Sequence, residues 1–569
     1  MLKTQWADSV SADNVHPEYP RPQMVRDSWQ NLNGLWDYAI TAKTQENAPE
    51  SYQGEILVPF PIESDLSGVA KGVSASELLW YRRTVELQPS DNRVLLHFGA
   101  VDWDATVYVN GTEVGSHRGC YDPFSFDITD ALNDSGQQEI IVRVFDPTDD
   151  HTQPRGKQVN SQEGIWYTPT TGIWQTVWLE TVPQHYISGF RIVPDIDNST
   201  LKVTVQVAGA DSAGVKAVAS DGDTSIAEVS GSSGETLTLN IPEAKLWSPE
   251  SPFLYDLKLS LLDGDAVVDS VDSYFGMRKI EMMRDSNGHL RIALNGTPVF
   301  NYGLLDQGFW PDGLYTPPTD EALYYDIEIT RQLGFNVIRK HVKVEPARWY
   351  YHADRMGILV WQDMPSGDKN MKFGEGDMER TPDAAAQFEL EYQRMVDYLY
   401  NYPSIVMWVV FNEGWGQYDT VRVTEFAQSL DDTRIINSVT GWTDMGVGDV
   451  HDIHSYPGPE MPPESPGRGL VLGEFGGLGL PVDGHMWKSD FWGYRAYDTV
   501  EELTKAYRDL IEKLCPMIAD EGLCAAIYTQ TTDVETEANG MMTYDRAVIK
   551  MDVDTVRELN ESLYGLVTK

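Results

Sequence analysis

Two glutamates stand out because each one ends an apolar run abruptly. Glu413 follows the run IVMWVVF and Asn412, and Glu474 follows the run LVLG. Two carboxyl groups facing each other across a cleft are what cleavage of a glycosidic bond requires, since one protonates the leaving oxygen while the other attacks the anomeric carbon. This chemistry needs Glu413 to be protonated and Glu474 to be ionised. If the fold brings the two together, they form a glycoside-cleaving pair.

Polar side chains also follow five other apolar segments in the same half of the chain. They are Asp306 and Gln307, Arg339 to His341, Gln362 and Asp363, His454 to Tyr456, and Gln530. A single residue of this kind can simply cap the next helix or meet solvent, and for Asp363 or Gln530 alone that explanation stays open. In a (β/α)₈ barrel, however, the chemistry lies at the C-terminal ends of the strands.

The elements that must position these residues repeat in the order helix, glycine, strand. The stretch TPPTDEALYYDIEITRQLGFNVIRKH starts with the Pro and Asp signals of a helix N-terminus and passes through Gly334 into a strand. Apolar strands alternating with helices predict a parallel sheet closed into one barrel. Glu413 and Glu474 are 61 residues apart. With IINSV and HDIHSY as strands 5 and 6, they end strands 4 and 7, across the barrel mouth from each other.

The chain is predicted to be multidomain, with two β-sandwiches before the barrel. Residues 1–182 show short alternating segments and an Asn110-Gly111 hairpin signal, which indicates an N-terminal jelly-roll β-sandwich. Residues 183–281 keep the alternation in LKVTVQVAG, TLTLNIP and YDLKLSLLDG, typical of an immunoglobulin-like β-sandwich. Residues 282–569 form the predicted C-terminal (β/α)₈ TIM barrel.

Composition excludes several classes of partner. The net charge of −44, from 43 basic and 87 acidic residues, argues against nucleic acid. No apolar stretch reaches the ~18 residues of a membrane span, which predicts a soluble protein without membrane contact, periplasmic or cytoplasmic in a bacterium. Three cysteines are too few for a disulfide framework, and the HDIH histidines lack a third ligand nearby, so we expect no metal and no cofactor. A carbohydrate is the expected partner, and a homo-oligomer is an open possibility.

Motifs along nearly the whole chain resemble glycoside hydrolase family 2, the family of β-galactosidases, β-glucuronidases and β-mannosidases. LLWYRRTVEL and LHFGAVDWDATVYVNGTEVGSHRG resemble its N-terminal sugar-binding jelly roll, FNEGWG its acid/base motif and LGEFGG its nucleophile strand. By position, the resemblance implies that Glu413 is the general acid/base and Glu474 the nucleophile. It further implies that Arg339 braces the nucleophile and that Tyr456 hydrogen-bonds to it.

The remaining candidates are residues for contact with the sugar. They are Asp306, Trp310, His341, Asn412, Trp415, His454 and Gln530. Asn412 is suited to hydrogen-bond a sugar 2-hydroxyl. For the two histidines the alternative is structural support, and for the two tryptophans it is core packing. The loop of residues 155–172 is expected either to close the pocket or to form an exposed linker.

Departures from the family bear on the substrate. Leu305-Asp306-Gln307 stands where β-galactosidases and β-glucuronidases have an Arg-His-Glu pattern. The magnesium ligands of β-galactosidases have no match after Asp363. ANGMMTYDR keeps Asn539 but lacks the lysine by which β-glucuronidases recognise a uronate. The segment ILVWQDMP resembles the β-mannosidase-like members of the family more than the others. The sequence therefore predicts an exo-acting retaining β-glycosidase, β-galactosidase-like or β-mannosidase-like, that releases a neutral hexose. The alternatives are an arabinoside, a galactofuranoside or a uronide, with a local positive patch from Lys340, Lys343 and Arg348, or a non-catalytic carbohydrate-binding protein.

Overall fold

The computed structural model describes residues 2–87, 90–210 and 212–567. It has two β-sandwiches followed by an eight-stranded parallel barrel, which confirms the predicted fold class. Among the described residues, the sheets of the two sandwiches stay within their predicted regions, and the strand Ile280–Arg284 crosses the predicted boundary at residue 281. The boundaries at residues 182 and 281 stay predictions.

The first sandwich packs a six-stranded sheet against a four-stranded one around a core that includes Trp36, Leu96 and Val142. Asn110 and Gly111 both have positive φ (50° and 79°), as a two-residue hairpin turn requires. The strands are Trp29–Asn31, Gly34–Ala42, Gly54–Val58, Glu77–Glu86, Arg93–Phe98, Val101–Asp102, Asp104–Val109, Thr112–Arg118, Phe124–Asp127, Gln137–Phe145, Gly172–Ile173 and Val177–Val182.

The second sandwich has sheets of three and four strands. In Thr236–Asn240 the two leucines are buried and the threonines exposed, so the alternation seen in the sequence marks the core face. The strands are Tyr186–Asp195, Thr200–Ala208, Gly214–Asp221, Thr224–Ser232, Thr236–Asn240, Tyr255–Asp263 and Ala266–Phe275.

A short antiparallel sheet of Ile280–Arg284, Leu290–Leu294 and Thr297–Pro298 leads into the barrel. Barrel strands 1 to 8 are Asn301–Asp306, Val337–Lys340, Leu359–Asp363, Ile405–Asn412, Ile435–Thr440, Val450–Ser455, Gly469–Gly476 and Leu523–Thr529. Their order around the sheet is 5-4-3-2-1-8-7-6. A backbone hydrogen bond of 2.9 Å from Asp449 to Ile436 joins strand 6 to strand 5. A further pair, Leu478–Gly479 with Arg495–Ala496, lies beyond strand 7.

Six α-helices follow barrel strands 1, 2, 3, 4, 7 and 8. They are Asp320–Gln332, Ala347–Met356, Pro382–Leu399, Thr420–Leu430, Val500–Ala519 and Val553–Tyr564, and two 3₁₀ turns lie earlier, at Ala7–Ser9 and Thr129–Ala131. Thr319 caps the first helix by accepting a hydrogen bond from Ala322 N, next to the Pro and Asp residues that indicated the helix start in the sequence. After strands 5 and 6, the described residues 441–449 and 456–468 form Gly- and Pro-rich loops instead of helices. Two of the eight helices of an ideal barrel are thus replaced by loops.

The cysteines Cys120, Cys515 and Cys524 are free thiols, as predicted. Cys120 and Cys524 are buried, and Cys515 is partly buried. Across the described residues, none of the helices is both long enough and apolar enough to cross a membrane.

Candidate active site

Glu413 and Glu474 lie together at the mouth of the barrel, where the sequence placed them. Glu413 comes directly after strand 4 and Glu474 lies near the end of strand 7. One oxygen from each carboxylate and a ring nitrogen of His454 lie within 4.8 Å of one another. The two glutamates are 7% and 5% exposed, so both are nearly enclosed but still reachable.

Strand 4 holds Glu413 in position because it is buried on both faces. Met407 and Val409 belong to one core cluster, and Trp408 and Val410 to the cluster that includes the following helices. A strand buried in this way reads as a continuous apolar run. The backbone then turns sharply at Glu413, whose φ of 48° lies in the left-handed region.

Arg339, at the end of strand 2, ties the site together. Its guanidinium donates hydrogen bonds to Glu474 Oε1 (3.1 Å), to Asp363 Oδ2 (2.8 Å) and to Asn412 Oδ1 (2.7 Å). Burial lowers its pKa, but the charges of Asp363 and Glu474 outweigh that effect and raise it, so the guanidinium stays charged. Arg339 therefore fixes the nucleophile candidate and the amide next to the acid in one network.

The charge on Glu474 is stabilised from several sides. Tyr456 donates a hydrogen bond of 2.6 Å to its second oxygen. Burial alone would raise the pKa of Glu474, but the positive charges of His454, Arg339 and Lys157 lower it to about 2. Glu474 is therefore ionised at neutral pH, as a nucleophile must be.

His454 lies between the two carboxylates. Its Nδ1 is 2.7 Å from Glu413 Oε1 and 3.4 Å from Glu474 Oε2. Burial lowers the pKa of His454, yet the charges of Glu474, Glu413 and Asp452 more than offset this and raise it above the ordinary value. Gly441 makes room for the ring, since a Cβ there would come within 2.8 Å of Nδ1.

Asn412 offers a donor to whatever occupies the pocket. Its Oδ1 accepts hydrogen bonds from Arg339 and from Thr440 Oγ1, which fixes the orientation of the amide. Its buried Nδ2 has no partner among the described residues. A buried donor without a partner costs about 1–3 kcal/mol, so a ligand hydroxyl at this position would remove that cost.

Gln530, directly after strand 8, begins a chain of polar contacts that ends on the first sandwich. Its Nε2 donates to Asn539 (2.7 Å), Asn539 donates to Glu537 (2.9 Å), and Glu537 accepts from the hydroxyl of Tyr167. The buried Oε1 of Gln530 has no partner in the part of the chain that the structure describes.

The loop of residues 155–172 extends from the first sandwich across the barrel mouth. Arg155 and Gly156 donate backbone hydrogen bonds to Ser366 O, and Thr168 N donates to Glu535 at 2.8 Å. The ring of Trp166 lies 4.8 Å from that of Trp415. The loop therefore contacts segments that follow strands 3, 4 and 8.

His341 and Trp415 line the same region. His341 Nδ1 is 3.0 Å from Asp363, and burial, together with the charges of Lys157 and Arg339, holds its pKa well below the ordinary value. The ring of Trp415 lies 6.3 Å from that of His341 in an edge-on arrangement. Their contact with a sugar stays a prediction.

Two candidates are not brought to the pair. The interpretation of Trp310 as a sugar platform is wrong, because the ring is only 2% exposed, packs against Trp6 and lies 3.8 Å from the guanidinium of Arg546. Asp306 is buried with both oxygens occupied, by Lys340 Nζ (2.6 Å) and Gly308 N (2.9 Å). Asp306 therefore neutralises a lysine here.

Sequence reasoning missed Lys157, Tyr167 and Glu537 as parts of this site. Lys157 and Tyr167 lie in the loop that was expected to approach the pocket, so the aromatic content of that loop was the available signal. Glu537 lies in the segment between strand 8 and the last helix, beside Asn539. No pattern in the sequence indicated that it meets Tyr167.

A metal ion is not needed to explain the cluster. Glu413, His454 and Glu474 could each offer one ligand atom within 4.8 Å of the others. The nitrogen of His454 that faces the carboxylates is already engaged by Glu413 at hydrogen-bond distance. The arrangement suits proton sharing better than ligation.

Family models match three stretches of the chain. Residues 70–174 match "Glycosyl hydrolase 2 galactose-binding domain-like", residues 185–278 match "Glycosyl hydrolases family 2", and residues 319–457 match "Glycosyl hydrolases family 2, TIM barrel domain". The chain belongs to glycoside hydrolase family 2. The barrel match includes Glu413 and ends before Glu474.

Individual relatives differ in the sugar that their names give. A putative β-glucuronidase of Formosa agariphila is 27% identical over 62% of this chain and 42% of its own length. A β-galactosidase of Vibrio vulnificus is 25% identical over 74% of this chain and 43% of its own length. This chain thus spans less than half the length of these curated relatives. Among solved structures, a β-glucuronidase of Ruminococcus gnavus (18% identity, TM-score 0.76, 97% of this chain and 100% of that one) shares the fold. A β-galacturonidase of Eisenbergiella tayi also shares the fold, with 19% identity and a TM-score of 0.72 over 97% of this chain and 98% of that one.

Proposed function

We propose that the protein is a retaining β-glycosidase that removes terminal sugars, with Glu474 as nucleophile and Glu413 as general acid/base. The observation that carries this proposal is the pair of enclosed carboxylates, of which Glu474 is held ionised by Arg339, Tyr456 and His454. The bridging loop of residues 155–172 favours exo action, because its contacts with the segments after strands 3, 4 and 8 restrict access to the two carboxylates from the side of the first sandwich.

In the first step, a carboxylate oxygen of Glu474 attacks the anomeric carbon while the bond from that carbon to the glycosidic oxygen breaks. Glu413 gives its proton to the leaving oxygen, so an alcohol departs and a glycosyl ester of Glu474 remains. Arg339 positions Glu474 for this attack, and Asn412 Nδ2 is available to donate to the sugar 2-hydroxyl.

In the second step, the ionised Glu413 takes a proton from water, and the water oxygen attacks the anomeric carbon. The ester bond to Glu474 breaks, and the free sugar and both starting carboxyl forms are restored. Each step inverts the configuration at the anomeric carbon, so the product keeps the configuration of the substrate. The separation of less than 4.8 Å between oxygens of the pair supports this route, because an inverting enzyme leaves about 6.5–9.5 Å for a water molecule.

The test compares Glu474→Gln, Glu413→Ala and the control Glu521→Gln on a panel of aryl β-glycosides. Glu521 is exposed at the opposite end of strand 8. We expect Glu474→Gln to lose turnover, because an amide cannot act as the nucleophile. We expect Glu413→Ala to lose about 10²–10⁴-fold in kcat/KM on substrates with poor leaving groups and to spare kcat/KM on activated ones, because their first step needs no acid. The control should match the wild type.

Nuclear magnetic resonance of the first-formed product should show the β-anomer. Hydrolysis by Glu474→Gln at the wild-type rate would contradict the assignment of Glu474 as the nucleophile. If the wild type binds sugars but cleaves no glycoside on the panel, the alternative of a non-catalytic carbohydrate-binding protein is the correct one.

A further inference from the structure

Lys157 is a largely buried lysine whose closest partners for its charge are aromatic rings. It lies on the loop of residues 155–172 and is 5% exposed. Within the described ranges, its amine makes neither a hydrogen bond nor an ion pair. It lies 5.7 Å from the ring centre of Tyr167 and 5.6 Å from that of Trp415. Because the amine has neither a hydrogen bond nor an ion pair among the described residues, its position suits a negatively charged group of a ligand.

Lys157 faces the same space as the two glutamates. Its positive charge contributes to lowering the pKa of both Glu474 and His341. Trp415, which lies beside Lys157, follows Glu413 by two residues and donates its backbone N–H to Asn412 O at 2.8 Å. The amine therefore lies at the edge of the proposed sugar pocket.

Two lysines at and after the end of strand 2 are already paired with carboxylates. Lys340 contacts Asp306 (2.6 Å) and Glu345 (2.8 Å), and Lys343 contacts Glu345 (2.9 Å). The positive patch considered from the sequence, Lys340 and Lys343 with Arg348, is thus paired, since Arg348 contacts Asp320 as well. Lys157, from the first sandwich, has no such carboxylate partner among the described residues.

We propose that Lys157 pairs with an anionic group on the terminal sugar, a carboxylate or a sulfate ester, so that the pocket selects acidic β-glycosides. This inference rests on the proposed function and names its substrate class. Lysine recognises such groups as a compact charge with three donors. The neutral hexose predicted from the sequence depended on the missing lysine in ANGMMTYDR, and Lys157 supplies a cation from a different domain.

The experiment measures kcat/KM for three aryl glycosides: a β-hexuronide, a β-hexoside sulfated on its primary hydroxyl, and the neutral β-hexoside. The quantity compared is the ratio of acidic to neutral substrate in the wild type, Lys157→Met, Lys157→Arg and the control Lys513→Met. Lys513 is exposed on the helix Val500–Ala519, so its substitution removes the same charge away from the pocket.

We expect the wild type to prefer one of the two acidic substrates over the neutral one. A preference for the hexuronide identifies the bound anion as a carboxylate, and a preference for the sulfated hexoside identifies it as a sulfate ester. In Lys157→Met the ratio should fall about 10- to 100-fold, the worth of one charge-assisted hydrogen bond, with partial recovery in Lys157→Arg. Lys513→Met should leave the ratio unchanged.

A wild-type preference for the neutral hexoside, or an unchanged ratio in Lys157→Met, would overturn the inference. The wild-type preference does not depend on whether Lys157→Met folds. Failure of the proposed function is a separate outcome, because it is seen as hydrolysis that persists in Glu474→Gln.

Discussion

His454 lies where one side chain can influence the charge state of the proposed catalytic pair. Its Nδ1 is within hydrogen-bond distance of Glu413 and 3.4 Å from Glu474, and its pKa is raised by the charges of both after burial has lowered it. A positive charge on His454 in turn favours the ionised form of Glu474. We regard His454 as a positioning residue whose charge acts through the nucleophile.

This role predicts a shift in pH dependence. Activity is lost on the acid side as Glu474 takes up a proton, and removing the neighbouring positive charge raises the pKa of Glu474 above its value of about 2. In His454→Gln, the acid limb of the kcat/KM profile should therefore move to higher pH, by about one unit or more. The measurement is kcat/KM from about pH 3 to 8 on an activated aryl glycoside.

The matched control is His185→Gln, which replaces an exposed histidine on the second sandwich. Its profile should coincide with that of the wild type. If His454→Gln lowers kcat/KM equally at every pH, the residue supports the structure of the site without tuning the charge of Glu474.

At the scale of elements, the loop of residues 155–172 is held on the barrel by a few buried contacts. The hydroxyl of Tyr167 donates to Glu537, and Thr168 N donates to Glu535. Losing the hydroxyl would leave a buried carboxylate oxygen of Glu537 without its donor, at a cost of about 1–3 kcal/mol. Because the loop carries Lys157 and Trp166, a loosened loop should weaken substrate binding before it affects the chemical step.

Tyr167→Phe is thus expected to raise KM by about tenfold and to change kcat little. Steady-state kinetics on one aryl glycoside separates the two constants. Tyr392→Phe is the control, because the buried hydroxyl of Tyr392 has no partner within the described residues. A fall in kcat at unchanged KM would show that the loop acts on the chemistry rather than on binding.

The barrel elements were predictable from sequence because their signals are local. The uninterrupted apolar run of Ile405–Asn412 follows from burial on both faces, and the spacing of βα units placed Glu413 and Glu474 on opposite strands. The loops after strands 5 and 6 were also visible as Gly- and Pro-rich segments, yet the regular barrel pattern favoured helices there.

The surroundings of single side chains could not be predicted in the same way, because they depend on contacts between distant segments. Tyr167 meets a residue 370 positions away, and Trp310 is buried by Trp6 and Arg546 from opposite ends of the chain. Neither contact leaves a periodic pattern. Lys157 was missed for the same reason.

At the scale of the whole molecule, the site depends on two domains. The barrel supplies both carboxylates and Arg339, whereas the first sandwich supplies Lys157 and the loop that covers them. Under the proposed function, the sandwich therefore contributes to substrate recognition directly and does more than brace the barrel.

The whole molecule also carries a large excess of negative charge. With 87 acidic and 43 basic residues, at least half of the carboxylates have no basic partner even if every basic residue is paired. Repulsion between them destabilises the compact state. Salt screens that repulsion, since the Debye length falls from roughly 30 Å at 0.01 M to roughly 10 Å at 0.1 M.

We therefore predict that the apparent Tm at neutral pH rises by a few degrees as sodium chloride is increased from about 0.01 to 0.3 M. Differential scanning calorimetry at several salt concentrations measures it. The control is the same titration near pH 4.4, the isoelectric point, where the net charge is close to zero and the salt effect should largely vanish. An equal rise of the Tm at both pH values would mean that salt acts through general solvent effects. A constant Tm at neutral pH would mean that the surface charges are far enough apart to be screened by water alone.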